Sequence, residues 1–234
     1  MNRTTPNIAV IIQARMNSSR LPGKVLMNIA GEPMLGWLVK RVTRSVLAQN
    51  FVVATSNRIE DDLISRFCED NDINCYRGSE ANVLQRMIEA AQFYDADVIV
   101  RLTADNPFVG ADLVDLVLSK FLCLYPNIDY VSNTDEGGFP FGLFVEAVKT
   151  SSLLNINELD PSADQIEHVT LSFRQNATTY LTHQIKSNFC FADVMLTIDT
   201  KSDFDRLEPV FTSLVLKDPF FNYSDIAEIY DAVS

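Results

Sequence analysis

The chain has 234 residues, 47% of them hydrophobic, and carries 19 basic against 31 acidic side chains for a net charge of −12. That size and apolar fraction suit one α/β domain over 1–234 with a full core, and the charge argues against a nucleic-acid or anionic-membrane surface. No apolar run approaches the ~20 residues of a membrane span, and MNRTTPN leads into a short apolar run without a small-residue cleavage pattern. A cytoplasmic location is therefore expected.

Taken in order, 8–12 (IAVII) reads as a strand buried on both faces, followed by an abrupt change to QARMNSSRLPGK. Apolar residues at helical spacing predict a helix over 33–49, entered through Gly31-Glu32-Pro33. A second buried strand is predicted at 50–55, an acidic amphipathic helix at 59–70 and a short strand at 74–77. A helix opening at Gly78-Ser79 runs to 94, a fourth strand covers 97–102 (DVIVRL), and a helix covers 111–124. Four β-α units without a hairpin argue for a parallel sheet with right-handed crossovers.

Beyond Asp129 the pattern changes. We expect strands at 129–132 and 142–148 around a turn-rich loop at 134–140, then helices at 153–159 and 164–174. A strand at 179–186, a buried strand at 194–199 (VMLTID) and helices at 202–216 and 223–232 complete the chain. Cys68, Cys75, Cys123 and Cys190 are widely spaced with no CxxC pair, which predicts reduced thiols in or near the core rather than a zinc site.

Chemistry concentrates in four stretches. Arg15, Arg20 and Lys24 put three cations within ten residues of an acidic chain, and backbone N–H groups near Ser18 and Ser19 add donors. A cationic loop leaving a buried first strand suits a polyphosphate, and it lacks the GxxxxGK[ST] spacing of a Walker loop. Asp105 and Asp199 each end a predicted strand, where a carboxylate can hold Mg²⁺ against substrate phosphates. Arg77-Gly78-Ser79 follows the third strand and could read a base edge or a ribose. Each also has an ordinary reading: a solvated loop, a turn aspartate at Asp105, and helix caps at Asp199 and Ser79. Asp95-Ala96-Asp97 matches a DxD pattern but sits at the amino end of its strand, opposite the other loops. His168 and His183 form no ligand-spaced pair, and no GxSxG elbow is present.

IIQARMNSSRLPGKVL, VVATSN, RGSEANVL, VIVRLTADNPF, DYVSNT and LTIDT follow one another in a way that resembles the cytidylyltransferase family of sugar activation. The resemblance is greatest to its spore coat polysaccharide branch, which is similar to acylneuraminate and 3-deoxy-manno-octulosonate cytidylyltransferases. It implies a Rossmann-like nucleotide-diphospho-sugar transferase fold, a mostly parallel sheet with helices on both faces. It implies transfer of CMP from CTP to an acidic sugar, with release of pyrophosphate and a requirement for Mg²⁺. Ala14, Arg15, Ser18, Ser19, Arg20 and Lys24 fall on the nucleotide loop, and Arg77 and Ser79 on a second nucleotide segment. Asp105 and Asp199 fall on the metal-site aspartates; Arg15, Lys24 and Asp105 take the catalytic roles. Phe141, Phe144 and Glu146 fall on the acceptor side, within a segment at about 133–190 that also implies a homodimer.

Departures cluster on that acceptor side. PDGLDVE of the branch reads Pro140-Phe141-Gly142-Leu143-Phe144-Val145-Glu146 here, TGDCP reads Thr103-Ala104-Asp105-Asn106-Pro107, and Asn57 stands for an aspartate. Met195 and Ile166 stand where basic residues are usual. A less polar acceptor, a nucleotide-binding homologue without turnover, and a sugar-nucleotide glycosyltransferase of the same fold remain as alternatives. Phe139, Phe141 and Phe144 are expected to be exposed, covered by a partner or an apolar ligand.

Overall fold

The computed structural model describes residues 5–134, 138–176, 178–188 and 194–231. Strand β1 (Ile8–Gln13) lies at the centre, between β4 (Asn50–Ser56) and β6 (Val98–Thr103), parallel to both. β5 (Asn74–Gly78) extends the sheet beyond β4, also parallel. On the other side β8 (Glu146–Lys149) runs antiparallel to β6 and to β7 (Tyr130–Ser132), and β9 (Thr182–Gln184) is parallel to β7. The order is β5-β4-β1-β6-β8-β7-β9; a separate two-stranded ribbon, β2 (Asn28–Ile29) with β3 (Glu32–Pro33), was not anticipated.

Strand alternation divides the core in two. Ile8, Val10 and Ile12 face one layer, with α1 (Met34–Val42), α2 (Asp62–Asp70), α4 (Ala111–Leu124) and α8 (Lys201–Lys217). Ala9 and Ile11 face the other, with α3 (Val83–Phe93), α5 (Thr150–Glu158) and Phe173 of α7 (Leu171–Gln175). Helices thus cover both faces, as a parallel sheet with apolar strands requires. Because β1, β4, β5 and β6 are parallel, their carboxyl-end loops share one edge, where the candidate residues gather. Asp97 lies at the opposite end, accepting from Asn7 N at 2.8 Å, so the DxD segment is turn chemistry.

Several expected elements are corrected. The helix expected over 33–49 ends at Val42, because 45–48 turns back onto Asp115 of α4, which accepts from Ser45 Oγ at 2.5 Å. α3 starts at Val83 rather than at Ser79: Asn82 Oδ1 accepts from Gln85 N at 2.8 Å and is its cap. The expected helix at 164–174 is two short ones, α6 (Ala163–Glu167) and α7, broken where Val169 takes φ 41°. A β-branched residue at positive φ is strained by roughly 1–3 kcal/mol, a cost met most often at functional sites.

The buried strand expected at 194–199 is not a sheet strand. It makes a single bridge, Phe141 to Met195, with Leu196 N donating to Phe141 O at 2.6 Å. Gly142 makes this approach possible: it has φ 99°, and a Cβ there would stand 2.5 Å from Leu196 C and Thr197 N. The strand expected at 142–148 is correspondingly reduced to Glu146–Lys149, since 141–145 bends away to meet 194–196. The strand expected at 179–186 pairs only over Thr182–Gln184. Phe139 is not exposed: it is 2% accessible and packs on the Tyr223 ring of α9 (Tyr223–Asp231) at 4.9 Å. Cys68 is buried, Cys75 half-buried and Cys123 exposed, so the expectation of core thiols fails for Cys123. Cys190, residues 135–137 of the turn-rich loop and Ala232 lie outside the described residues.

Candidate active site

The chain leaves β1 through Ala14, whose N–H donates to Ala54 O at 3.2 Å, and then turns on itself: Gly23 N donates to Met16 O at 2.8 Å. Gly23 takes φ 75° and opens a 3₁₀ turn, Lys24–Leu26, a left-handed position glycine adopts without steric cost. Asp61, buried at the start of α2, accepts from Met16 N at 2.7 Å and from Ser56 N at 3.1 Å, tying the loop to the end of β4.

Lys24 is carried beneath the loop and is only 6% exposed. Its ammonium donates to Asp105 Oδ2 at 2.8 Å and to Asp199 Oδ1 at 2.7 Å. Arg20 meets the other oxygen of Asp199 at 2.9 Å, and Arg15 meets Glu167 of α6 at 2.9 Å. Asp199 reaches this point because Ile198 N donates to Asp105 O at 3.1 Å, joining its segment to the loop after β6. It does not cap α8. Thr200 does, in a capping box where Thr200 Oγ1 accepts from Asp203 N at 3.2 Å and Asp203 Oδ2 accepts from Thr200 N at 2.8 Å. Asp199 is thereby left for the cleft.

These groups line a cleft of about 330 Å³ that includes Arg15, Ser18, Ser19, Arg20, Lys24, Asp105 and Asp199. Gln13, Arg101, Thr103, Glu167 and His168 line it too; sequence reasoning gave none of them a site role, and His168 had been set aside for want of a ligand-spaced partner. Arg101 was legible as a charge inside the apolar run DVIVRL; Glu167 and His168 were not, because a continuous helix was expected there. Ala14, Arg77 and Ser79 are not among the lining residues. Arg77 instead donates to Ser56 O at 3.0 Å and Arg58 O at 2.8 Å and pairs with Asp62 at 2.7 Å. Ser79 Oγ accepts from Asn82 N at 3.1 Å, which shapes the turn before α3.

A smaller cavity of about 140 Å³ adjoins the cleft through Arg101 and Thr103, and Phe144 and Glu146 line it. Glu146 is 5% exposed; it pairs with Arg101 and accepts from Tyr130 Oη at 2.6 Å and Thr170 Oγ1 at 2.5 Å. Burial pushes its carboxyl up, but the Arg101 guanidinium and these hydroxyls outweigh burial and hold it below the usual range. Phe141 stands outside, its ring 5.1 Å from that of Phe144.

The arrangement is a set of resting ion pairs. Each cation of the loop has a carboxylate opposite it, so an incoming polyphosphate competes with acids already in place. The sequence profile described as cytidylyltransferase matches residues 9–220. The chain belongs to the cytidylyltransferase family. It is 35% identical over 212 residues to spore coat polysaccharide biosynthesis protein SpsF of Bacillus subtilis (strain 168), covering 88% of this chain and 86% of that one. It is 36% identical over 118 residues to 3-deoxy-manno-octulosonate cytidylyltransferase of Chlorobium phaeovibrioides, 50% of this chain and 47% of the relative. Its fold superposes on a solved cytidylyltransferase from Leptospira borgpetersenii with a TM-score of 0.91 at 28% identity, covering 97% of this chain and 95% of that one. The Rossmann-like α/β fold expected of a nucleotidyltransferase is therefore the one this cytidylyltransferase adopts. Among the described residues no helix is long and apolar enough to cross a membrane.

Proposed function

We propose that this cytidylyltransferase moves CMP from CTP to an acidic sugar, giving a CMP-sugar and pyrophosphate, for a surface polysaccharide or glycan. The observation that carries the reading is Lys24, a buried ammonium shared by Asp105 and Asp199 at the floor of the cleft. Arg15, Arg20, Ser18 and Ser19 hold the triphosphate, and the loop's cations leave their resting carboxylates to do so. A sugar hydroxyl oxygen bonds to the α-phosphorus as the bond from that phosphorus to the β-phosphate's bridging oxygen breaks. Pyrophosphate leaves with the electron pair, and the hydroxyl proton passes to solvent. Lys24 neutralises charge on the reacting phosphate while the cleft aligns the two reactants, so no covalent intermediate is needed.

The donor set suits Mg²⁺. Asp105 and Asp199 direct one oxygen each to within 2.8 Å of Lys24 Nζ, which is the cation between them here. Among the described residues no cluster of three acids, histidines or cysteines is present to hold a metal by protein ligands alone. Mg²⁺ is commonly held by one or two carboxylates with substrate phosphates and water completing its shell. When bound, it would be held by Asp105 and Asp199 and would supply further neutralisation of the phosphates.

Calorimetric titration with the four nucleoside triphosphates tests the nucleotide half, with selective binding of CTP in Mg²⁺ expected. Arg20→Ala weakens that binding by roughly 1.5–3 kcal/mol, the range for a hydrogen bond to a charged group, and an unchanged affinity removes Arg20 from the site. The same reading places the protein in the cytoplasm as a homodimer formed through 133–190. Phe141, 47% exposed on that segment, supports such a contact, with Met195 bridged to it and 46% exposed just beyond. Sedimentation velocity at micromolar concentration is expected to give a dimer, and a monomer contradicts it.

A further inference from the structure

We infer that Cys68 and Cys75 are a redox modification site, able to close a reversible intrachain disulfide in the folded protein by reaction of Cys75 with small-molecule disulfides. The site lies outside the cleft and does not depend on the transfer reaction. Its basis is the hairpin formed by α2 and β5. Cys68 is fully buried in the last turn of α2, and Cys75 is half-buried in β5. A tight turn folds one element back on the other. Asn71 N and Ile73 N both donate to Cys68 O, at 3.3 and 2.9 Å, and Asp72 takes φ 54°, a left-handed conformation that aspartate tolerates better than most side chains.

Strand alternation then decides which way Cys75 faces. It packs into the layer that holds Cys68 and Val53, whereas its neighbour Tyr76 packs into the opposite layer. The two thiols therefore meet, and Cys68 Sγ donates a hydrogen bond to Cys75 Sγ. They also differ in reactivity. The hydrogen bond from Cys68 lowers the Cys75 thiol, helped by the Ser65 hydroxyl and the Arg77 guanidinium against burial and Asp61. The same hydrogen bond, with burial, pushes Cys68 up. Cys75 is thus the attacking thiol and Cys68 the resolving one.

The chemistry balances with one equivalent of a small disulfide. Cys75 thiolate attacks one of its sulfurs, forming a mixed disulfide and expelling one small thiolate. Cys68 then loses its proton to solvent and attacks the Cys75 sulfur, expelling the second small thiolate. Two protein thiols are oxidised and one small disulfide is reduced to two thiols. In a reducing compartment the bond stays open until such an oxidant accumulates. Closed, it adds a covalent tie across a hairpin otherwise held by packing and hydrogen bonds. Asp61, at the start of α2, anchors the cationic loop through Met16 N, so the tie acts on the helix that backs that loop.

The test uses the Cys123→Ser, Cys190→Ser protein, which keeps only this pair, treated in neutral buffer with oxidised glutathione. Trypsin cuts after Arg66 and Arg77, so one peptide, 67–77, carries both cysteines. Isolated without reduction, it is expected to be lighter by two hydrogen atoms and closed to alkylation, and dithiothreitol restores both thiols. Adding Cys68→Ser removes the resolving thiol, so a glutathione adduct stays on Cys75; adding Cys75→Ser instead leaves Cys68 unmodified. Amide exchange over 68–75 is expected to be slower in the oxidised than in the reduced protein. Both cysteines still open to alkylation, an adduct that persists on Cys75 with Cys68 present, or a bond that forms only in urea overturns the inference. Exchange that is equal or faster after oxidation overturns the tie.

Discussion

Lys24→Met is expected to lower kcat for pyrophosphate release by roughly 10²- to 10³-fold, the usual cost of removing one preorganised group that stabilises transition-state charge. Methionine keeps the length and apolar stem that fit beneath the loop, so the variant removes the ammonium and little else. The ammonium's position between Asp105 and Asp199 makes the loss specific: both carboxylates then stand against the incoming phosphates with one cation fewer. Coupled pyrophosphate detection at saturating CTP and Mg²⁺ measures it, with circular dichroism to establish that the variant is folded. A loss below tenfold would reduce Lys24 to a tether for the two aspartates.

Arg41→Met is expected to cost stability instead. This guanidinium is buried on α1 and donates to four backbone carbonyls: Val109 at 3.3 Å, Phe108 at 3.2 Å, Pro219 at 3.0 Å and Phe221 at 2.7 Å. Its carbon centre also lies 3.4 Å from the centroid of the Phe221 ring. Burial lowers its pKa to about 10, with Asp112, Asp218 and Asp225 pulling the other way, so it stays charged at neutral pH. Methionine fills much of the volume but leaves the carbonyls unsatisfied, at ~1–3 kcal/mol for each that water cannot reach. The net loss is about 3–5 kcal/mol, the range for disrupting a buried charged network, and corresponds to a fall in Tm of roughly 10 °C for a chain this size. Urea melts check it; a loss under about 1 kcal/mol contradicts the clamp. Because Phe108 and Val109 follow Asp105 after Asn106-Pro107, Arg41 is also what fixes the far end of the Asp105 turn against 218–221.

That arginine shows where sequence reading stops. Lys40 and Arg41 look alike in a helix of regular apolar spacing, and only the tertiary structure distinguishes the exposed cation from the buried one. The parallel half of the sheet was legible, because β1, β4 and β6 are apolar runs joined by amphipathic helices, a pattern with few packing solutions. The cationic loop after β1 was legible for a different reason: its cations contradict the charge of the rest of the chain. Lys24, Asp105 and Asp199 were each singled out, but their meeting on one nitrogen depends on the Ile198–Asp105 backbone bond, which no local pattern encodes.

The acceptor half was the least legible. Residues 194–199 have the composition of a buried strand, and Leu196 and Ile198 are indeed buried, yet Gly142 brings the chain past them at a single bridge. The break at Val169 is equally hidden, and it is what sets Glu167 against Arg15 and Thr170 against Glu146. The cap of α8, by contrast, was readable from Thr200 and Asp203 at capping-box spacing, and it would have released Asp199 from that role at once.

The central claim is tested most directly by following product formation from CTP, Mg²⁺ and an acidic sugar by phosphorus NMR. The account predicts equal amounts of pyrophosphate and a CMP-sugar phosphodiester, formed with CTP in preference to the other three nucleoside triphosphates. CTP that binds selectively yet stays intact across 3-deoxy-manno-octulosonate and acylneuraminates would contradict it, and would make this chain a nucleotide-binding homologue without turnover.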